Sequence, residues 1–148
     1  MSDEEVRKFL QESKTIILCS IGRDGFPHPM PMWFGLEDDG TLVMTTFAKS
    51  QKVQNLKRDP RVTLLAEAGA VYSELRGVTL RGKAEIVSDV ESVLAVLEKV
   101  SVRTGAIPDG DSEALRAGLR ASAQKRCLIR VKPDKVVSFD HRKLGGVY

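Results

Sequence analysis

Three prolines at alternate positions, Pro27, Pro29 and Pro31, constrain this chain more than any other feature. Each lacks a backbone N–H and holds φ near −65°. A helix cannot accommodate the run. In an extended segment the backbone repeats every two residues, so all three missing donors face one way. Residues 26–34 are therefore predicted to form an edge strand.

The segments around it read as a β-meander. Residues 14–21 are rich in β-branched side chains, and Arg23-Asp24-Gly25 marks a turn. Glu37-Asp38-Asp39-Gly40 is a second turn, before a strand over 41–47. Further strands are predicted at 61–67, at 78–86 where apolar and polar residues alternate, and at 127–131 and 135–139 on either side of Pro133-Asp134. Helical spacing appears at 3–13, opened by a Ser2…Glu5 capping box, and at 50–59, where Ser50 can cap and Asp59-Pro60 stops the run. A second capping box, Ser88…Glu91, precedes a stripe of Val90, Val93, Leu94, Leu97 and Val100. A weaker helix is predicted at 112–122, after a loop at 105–110. About six strands in hairpin order, with helices between them, make a mainly β (α+β) chain. Its expected architecture is a closed or nearly closed antiparallel barrel. The βα alternation of a doubly wound sheet is missing.

With 148 residues the chain is read as one domain, 1–148, long enough to bury a core without a metal or disulfide staple. Basic residues exceed acidic ones by only three, too few to indicate a nucleic-acid partner. No apolar run approaches a membrane span, and the acidic first residues carry no signal-peptide pattern, so a cytoplasmic protein is expected. Cys19 and Cys127 lie in apolar stretches at a spacing that fits no zinc site, and both are expected as buried, inert thiols.

Side-chain chemistry is sparse. Residues 77–84 nearly spell a phosphate-binding loop, but Ala84 replaces the hydroxyl residue and the segment alternates like a strand. His28 and His141, the two histidines, have no partner at metal-ligand spacing, so no metal is expected. No nucleophile elbow is present. If the chain is an enzyme, a cofactor carries the chemistry. The most informative segment is 45–62. There Thr45 and Thr46 end a strand, and Lys49, Ser50 and Lys52 sit where a helix begins. Helix starts offer free N–H groups and positive potential, a natural phosphate site.

Ser50-Gln51-Lys52 followed by Asn55-Leu56-Lys57-Arg58-Asp59-Pro60-Arg61-Val62 resembles the pyridoxamine 5′-phosphate oxidase-like superfamily, the split-barrel flavin and deazaflavin binders. Residues 21–29 look like its first hairpin, 32–34 its second strand, and 72–78 with 82–87 the strands that follow. The tail Asp140-His141-Arg142-Lys143-Leu144-Gly145 is similar to a branch described as F420-dependent. The resemblance implies a six-stranded antiparallel split β-barrel with flanking helices, of the FMN-binding type. It implies a homodimer with a cofactor groove between subunits. Lys49, Ser50 and Lys52 would meet the cofactor phosphate, Thr45 and Thr46 would line the same end, and Met32 and Trp33 would lie along the ring or substrate side.

The chain departs from the vitamin B6 oxidases at Met30 and Gly35, where they carry Arg and Lys, and at Gln51, where they carry Arg. These departures point away from pyridoxamine phosphate as substrate. They leave coenzyme F420, with FMN as the alternative. Lys49, Lys52, Lys57, Arg58 and Arg61 form a basic track for the deazaflavin's anionic tail. The implied activity is hydride transfer from reduced F420 to an unsaturated small-molecule acceptor, with Arg76 or His141 as possible proton donors. The competing reading is a non-catalytic protein that sequesters the cofactor.

Overall fold

A computed structural model describes residues 1–107 and 113–145. The predicted loop residues 108–110, the start of the 112–122 helix at Ser112, and the tail residues 146–148 lie outside the described residues.

Seven strands form one antiparallel sheet: β1 (Thr15–Ile21), β2 (Pro27–Trp33), β3 (Gly35–Leu36), β4 (Leu42–Phe47), β5 (Arg61–Ala68), β6 (Arg76–Val87) and β7 (Arg126–Asp140). Their order is β2-β1-β5-β6-β7-β4-β3. The sheet curls around one core that holds Ile16, Leu18, Phe34, Leu42, Met44, Leu64 and Ile129, each fully buried. β2 and β4 come into contact, yet no ladder joins them, and the half-barrel stays split there. The proline run is at the free edge: Pro27, Pro29 and Pro31 stand opposite Ile21, Cys19 and Ile17, and β1 is the sole partner of β2.

The sheet has seven strands where a six-stranded barrel was expected, and the segments read from the sequence differ at two places. Gly35–Leu36 pairs with β4 as a short strand of its own. The two strands expected around Pro133 are one continuous β7. Pro133 lies opposite Gly82, where the register shifts and no N–H is required of it. A Cβ on Gly82 would lie 2.8 Å from the Lys132 carbonyl oxygen, so only glycine lets the strands approach this closely.

Among the described residues, four α-helices flank the sheet. α1 (Asp3–Glu12) carries the expected capping box and buries Phe9 and Leu10 in the main core. α2 (Gln51–Arg58) buries Val53 and Leu56. α3 (Val90–Thr104) and α4 (Glu113–Ala123) cover the other side of β4 and β7 with a second cluster of Val93, Leu94 and Ala123 over Val43 and Leu128. The expected Ser88 cap is corrected. Asp89 caps α3, accepting from the Ser92 N–H at 2.8 Å, and Glu91 instead makes a two-pronged pair with Arg120 of α4. A carboxylate one position nearer the helix is the better acceptor for the exposed N–H groups. Among the described residues, no helix is long and apolar enough to cross a membrane.

Candidate functional site

β4 ends and α2 begins at the same end of the half-barrel, joined by Ala48, Lys49 and Ser50. The Ala48 N–H donates to the Lys125 carbonyl at 3.0 Å, which fixes the turn against the start of β7. Ser50 caps α2 with its backbone carbonyl, which accepts from Val53 and Gln54. Its hydroxyl makes no cap bond; Oγ is buried and has no partner among the described residues. The first N–H groups of α2 have no acceptor within the helix, and no acidic residue occupies its first turn.

Lys52 sits one residue into α2 with only 9% of its surface exposed. Its Nζ donates to Thr46 Oγ1 at 3.1 Å. No ion pair reaches it among the described residues. Burial pushes its ammonium below the ordinary 10.5. Cys127, opposite Thr46 in the ladder, supplies no countercharge, because burial pushes its thiol up. A buried cation without a carboxylate is costly in a folded protein. Here it lies at the positive end of a helix, beside an unpartnered hydroxyl. All three features call for an anion at one place.

Two further groups bound this place. Arg126, the first residue of β7, lies over the Phe47 ring at 4.4 Å and donates to Ser122 Oγ. Beneath α2, Gln51 Nε2 donates to Asn55 Oδ1 at 2.9 Å, and Asn55 Nδ2 donates to Ser20 Oγ at 3.1 Å. Asn55 and Ser20 are fully buried. Ser20 faces His28 across the β1–β2 ladder, and His28 Nδ1 is buried without a partner. A polar seam thus runs from the start of α2 to the proline strand. Sequence reasoning missed Arg126 beside Phe47, and Asn55 and His28 as members of this seam. The Lys125-Arg126 doublet was visible, but its adjacency to Phe47 depends on β7 pairing with β4, some eighty residues away.

Of the residues singled out from sequence, Lys52 reaches Thr46, Ser50 stands at the N-cap of the same helix, and Lys49 is exposed. Thr45 points to the opposite face, shared with Val43 under α3 and α4. Met32 and Trp33 also diverge: Met32 is buried in the core, and Trp33 is 52% exposed on the outer face. Arg76 stacks on Phe9 and pairs with Glu12, while His141 Nδ1 lies 3.0 Å from the Tyr72 carbonyl. Both belong to the end of β7 away from Cys127. Of the two thiols, Cys127 is buried as expected, but Cys19 is only half-buried, on the outer face. Among the described residues, no cluster of His, Cys, Asp or Glu could hold a metal ion.

The sequence profile of the pyridoxamine 5′-phosphate oxidase family matches residues 2–139. This chain belongs to that family. The structure explains the spacing of the family-like run after the helix start. Asn55 ties α2 to β1, Leu56 enters the core, and Asp59 closes the helix and grips the Arg61 guanidinium at 2.6 Å. A conserved hypothetical protein of Mycobacterium tuberculosis is 38% identical over 100% of this chain and 90% of its own, with a TM-score of 0.88. An F420 reductase is 24% identical (88% of this chain, 94% of that one, TM-score 0.70). A haem storage protein of Vibrio cholerae is 21% identical (93% of each chain, TM-score 0.69). These last two likenesses establish the split-barrel fold alone. No curated protein matches the chain.

Proposed function

We propose that the chain binds a phosphate-bearing flavin-type cofactor, coenzyme F420, and works as an oxidoreductase on an unsaturated small molecule. The observation that carries this reading is Lys52, a buried ammonium with no carboxylate, beside the unpartnered Ser50 hydroxyl at the start of α2. These groups fit a phosphate. Lys52 would neutralise it, Ser50 Oγ and the free N–H groups of α2 would donate to it, and Lys49 would close the rim.

When bound, such a cofactor supplies the hydride. The chain's part is to bind, orient and shield. Trp33 and the proline edge offer flat apolar surface beside the split. No side chain is assigned a proton.

The outer sheet face supports a two-fold dimer. Pro31, Ile17, Leu65, Thr79 and Val137 stand in one cross-strand row over five strands, and Val137 is 55% exposed. A second copy would cover this row and exclude water from the neighbouring groove.

FMN is the second reading, favoured by one observation. Arg58 donates to the Ile21 carbonyl and Arg61 pairs with Asp59, so of the outer basic track only Lys49 and Lys57 have neither a side-chain hydrogen bond nor an ion pair among the described residues. A short track suits a cofactor without an anionic tail.

The test is a titration with reduced and oxidised F420 and with FMN, followed by Trp33 fluorescence, on the wild type and on Lys52→Met. Removing one charge-assisted hydrogen bond costs about 1.5–3 kcal/mol, so the variant should bind roughly 10- to 100-fold more weakly. Its unfolding midpoint should not fall, because a buried unpaired charge is gone. Binding of FMN alone would reassign the cofactor; binding of neither would overturn the reading. Turnover with conjugated acceptors then separates an enzyme from a sequestering protein.

A further inference from the structure

A concavity of about 750 Å³ lies on the outer face where β1, β5 and β6 meet, beyond the C-terminal end of α2. Its floor is apolar to weakly polar: Cys19, Ile21 and Pro27. Its wall is basic. Arg61, Arg81 and Lys83 line it, with Asp134 as its one carboxylate. The ladder makes this arrangement costly. Arg61 stands directly opposite Lys83, and Arg81 stands directly opposite Lys135. Like charges at directly paired positions destabilise a sheet. Asp59 offsets Arg61 with a bidentate pair. Arg81, Lys83 and Lys135 have no ion pair among the described residues, and all three are exposed.

We infer that this concavity is a second binding site, for a small organic phosphate monoester. Of the lining residues, two cations without an ion pair among the described residues, Arg81 and Lys83, face one carboxylate, Asp134, so the wall favours an anion. The Arg81 guanidinium has its full donor fork available, which suits the paired oxygens of a phosphate. The Thr63 hydroxyl, opposite Arg81 in the ladder, adds a donor. The organic group lies on Cys19, Ile21 and Pro27. All these residues belong to one chain; Cys19, Thr63 and Arg81 stand on the same outer face as the Ile17–Leu65–Thr79 row that a second copy would cover, one row nearer the end of α2, so the site lies beside that contact.

The probe is phenyl phosphate, titrated calorimetrically into the full chain. Lys52→Met is used as the background, so that the α2 start does not contribute. Saturable binding is expected, weaker at higher salt. Cys19 provides a second readout, because Cys127 is buried: bound ligand should slow alkylation of Cys19. Arg81→Ser with Lys83→Thr should lower affinity roughly 100-fold, the loss of two charge-assisted contacts. The swap Arg81→Lys with Lys83→Arg keeps the charge and should retain binding, which controls for folding. The proposal is overturned if the Lys52→Met protein shows no saturable binding. It is equally overturned if the Arg81/Lys83 charge-removal variant binds as tightly as its background, or if Cys19 alkylation is unaffected by saturating ligand.

Discussion

Asp140 shows how one side chain makes a local turn depend on pH. It is nearly buried at the end of β7, accepts the Arg142 N–H at 3.1 Å, and takes Arg142 Nε and Nη2 at 2.8 and 2.6 Å. The Arg142 guanidinium holds its carboxyl down to about 2, from an ordinary 3.8. The folded-state pKa lies below the unfolded one, so this stabilisation is complete above about pH 4 and is lost as pH falls toward 2. Asp140→Asn keeps an acceptor for the Arg142 N–H but loses the two-pronged ion pair with its guanidinium, and should cost up to about 1 kcal/mol at pH 7. The gap between wild type and variant should close near pH 2, as urea unfolding at the two pH values would show. Asp140 was legible as part of a tail motif, but not its burial, which comes from pairing with Arg76 of β6. The same holds at the candidate site. The sequence displayed Ser50 and Lys52 at a helix start; that Lys52 is buried with its Nζ on Thr46 depends on how α2 packs at the end of β4.

At the scale of elements, local signals were legible and long-range ones were not. The Ser2…Glu5 capping box, the alternation in β6 and the proline edge each depend on residues within a few positions of one another, and each appears in the structure. The merging of two expected strands into β7 does not, because Pro133 is tolerated only through its pairing with Gly82. Arg103 is a second such case. From the last turn of α3 it donates to the carbonyls of Phe34, Leu10, Gln11 and Ser13, and its guanidinium lies 4.6 Å above the Phe34 ring. It thereby satisfies the open C-terminal carbonyls of α1, which has no basic residue in its own last turn. Arg103→Met should destabilise the fold by about 2 kcal/mol, in the range for hydrogen bonds from a charged group. Amide exchange should accelerate in α1 more than in β5 or β6. Equal acceleration everywhere would mean that Arg103 does not anchor that helix.

For the whole molecule, the prediction concerns the outer face. Leu65 sits mid-row between Ile17 and Thr79, half-buried in the single chain. Sedimentation should find the wild type as a dimer. Leu65→Glu places a charge at the centre of the covered row and should give a folded monomer, since its side chain does not enter the main core. A wild type that sediments as a monomer at tens of micromolar would remove the dimer from the functional reading. The split-barrel plan itself was legible because several ordered segments matched the family together. The cofactor was not, because Lys49, Lys57, Arg58 and Arg61 look alike in a sequence, while the structure leaves some available and ties others down.

The proline edge also bears on how the chain survives its own synthesis. β1 and β2 leave the ribosome as a hairpin well before β5 exists to cover one side of it. The hairpin's other side, along β2, is permanently poor in donors, since Pro27, Pro29 and Pro31 turn no N–H outward. A neighbouring nascent chain finds no ladder to extend there, so intermolecular strand addition is disfavoured while the core is still incomplete. The same three residues that line the free edge of the sheet protect the unfinished protein in a crowded cell.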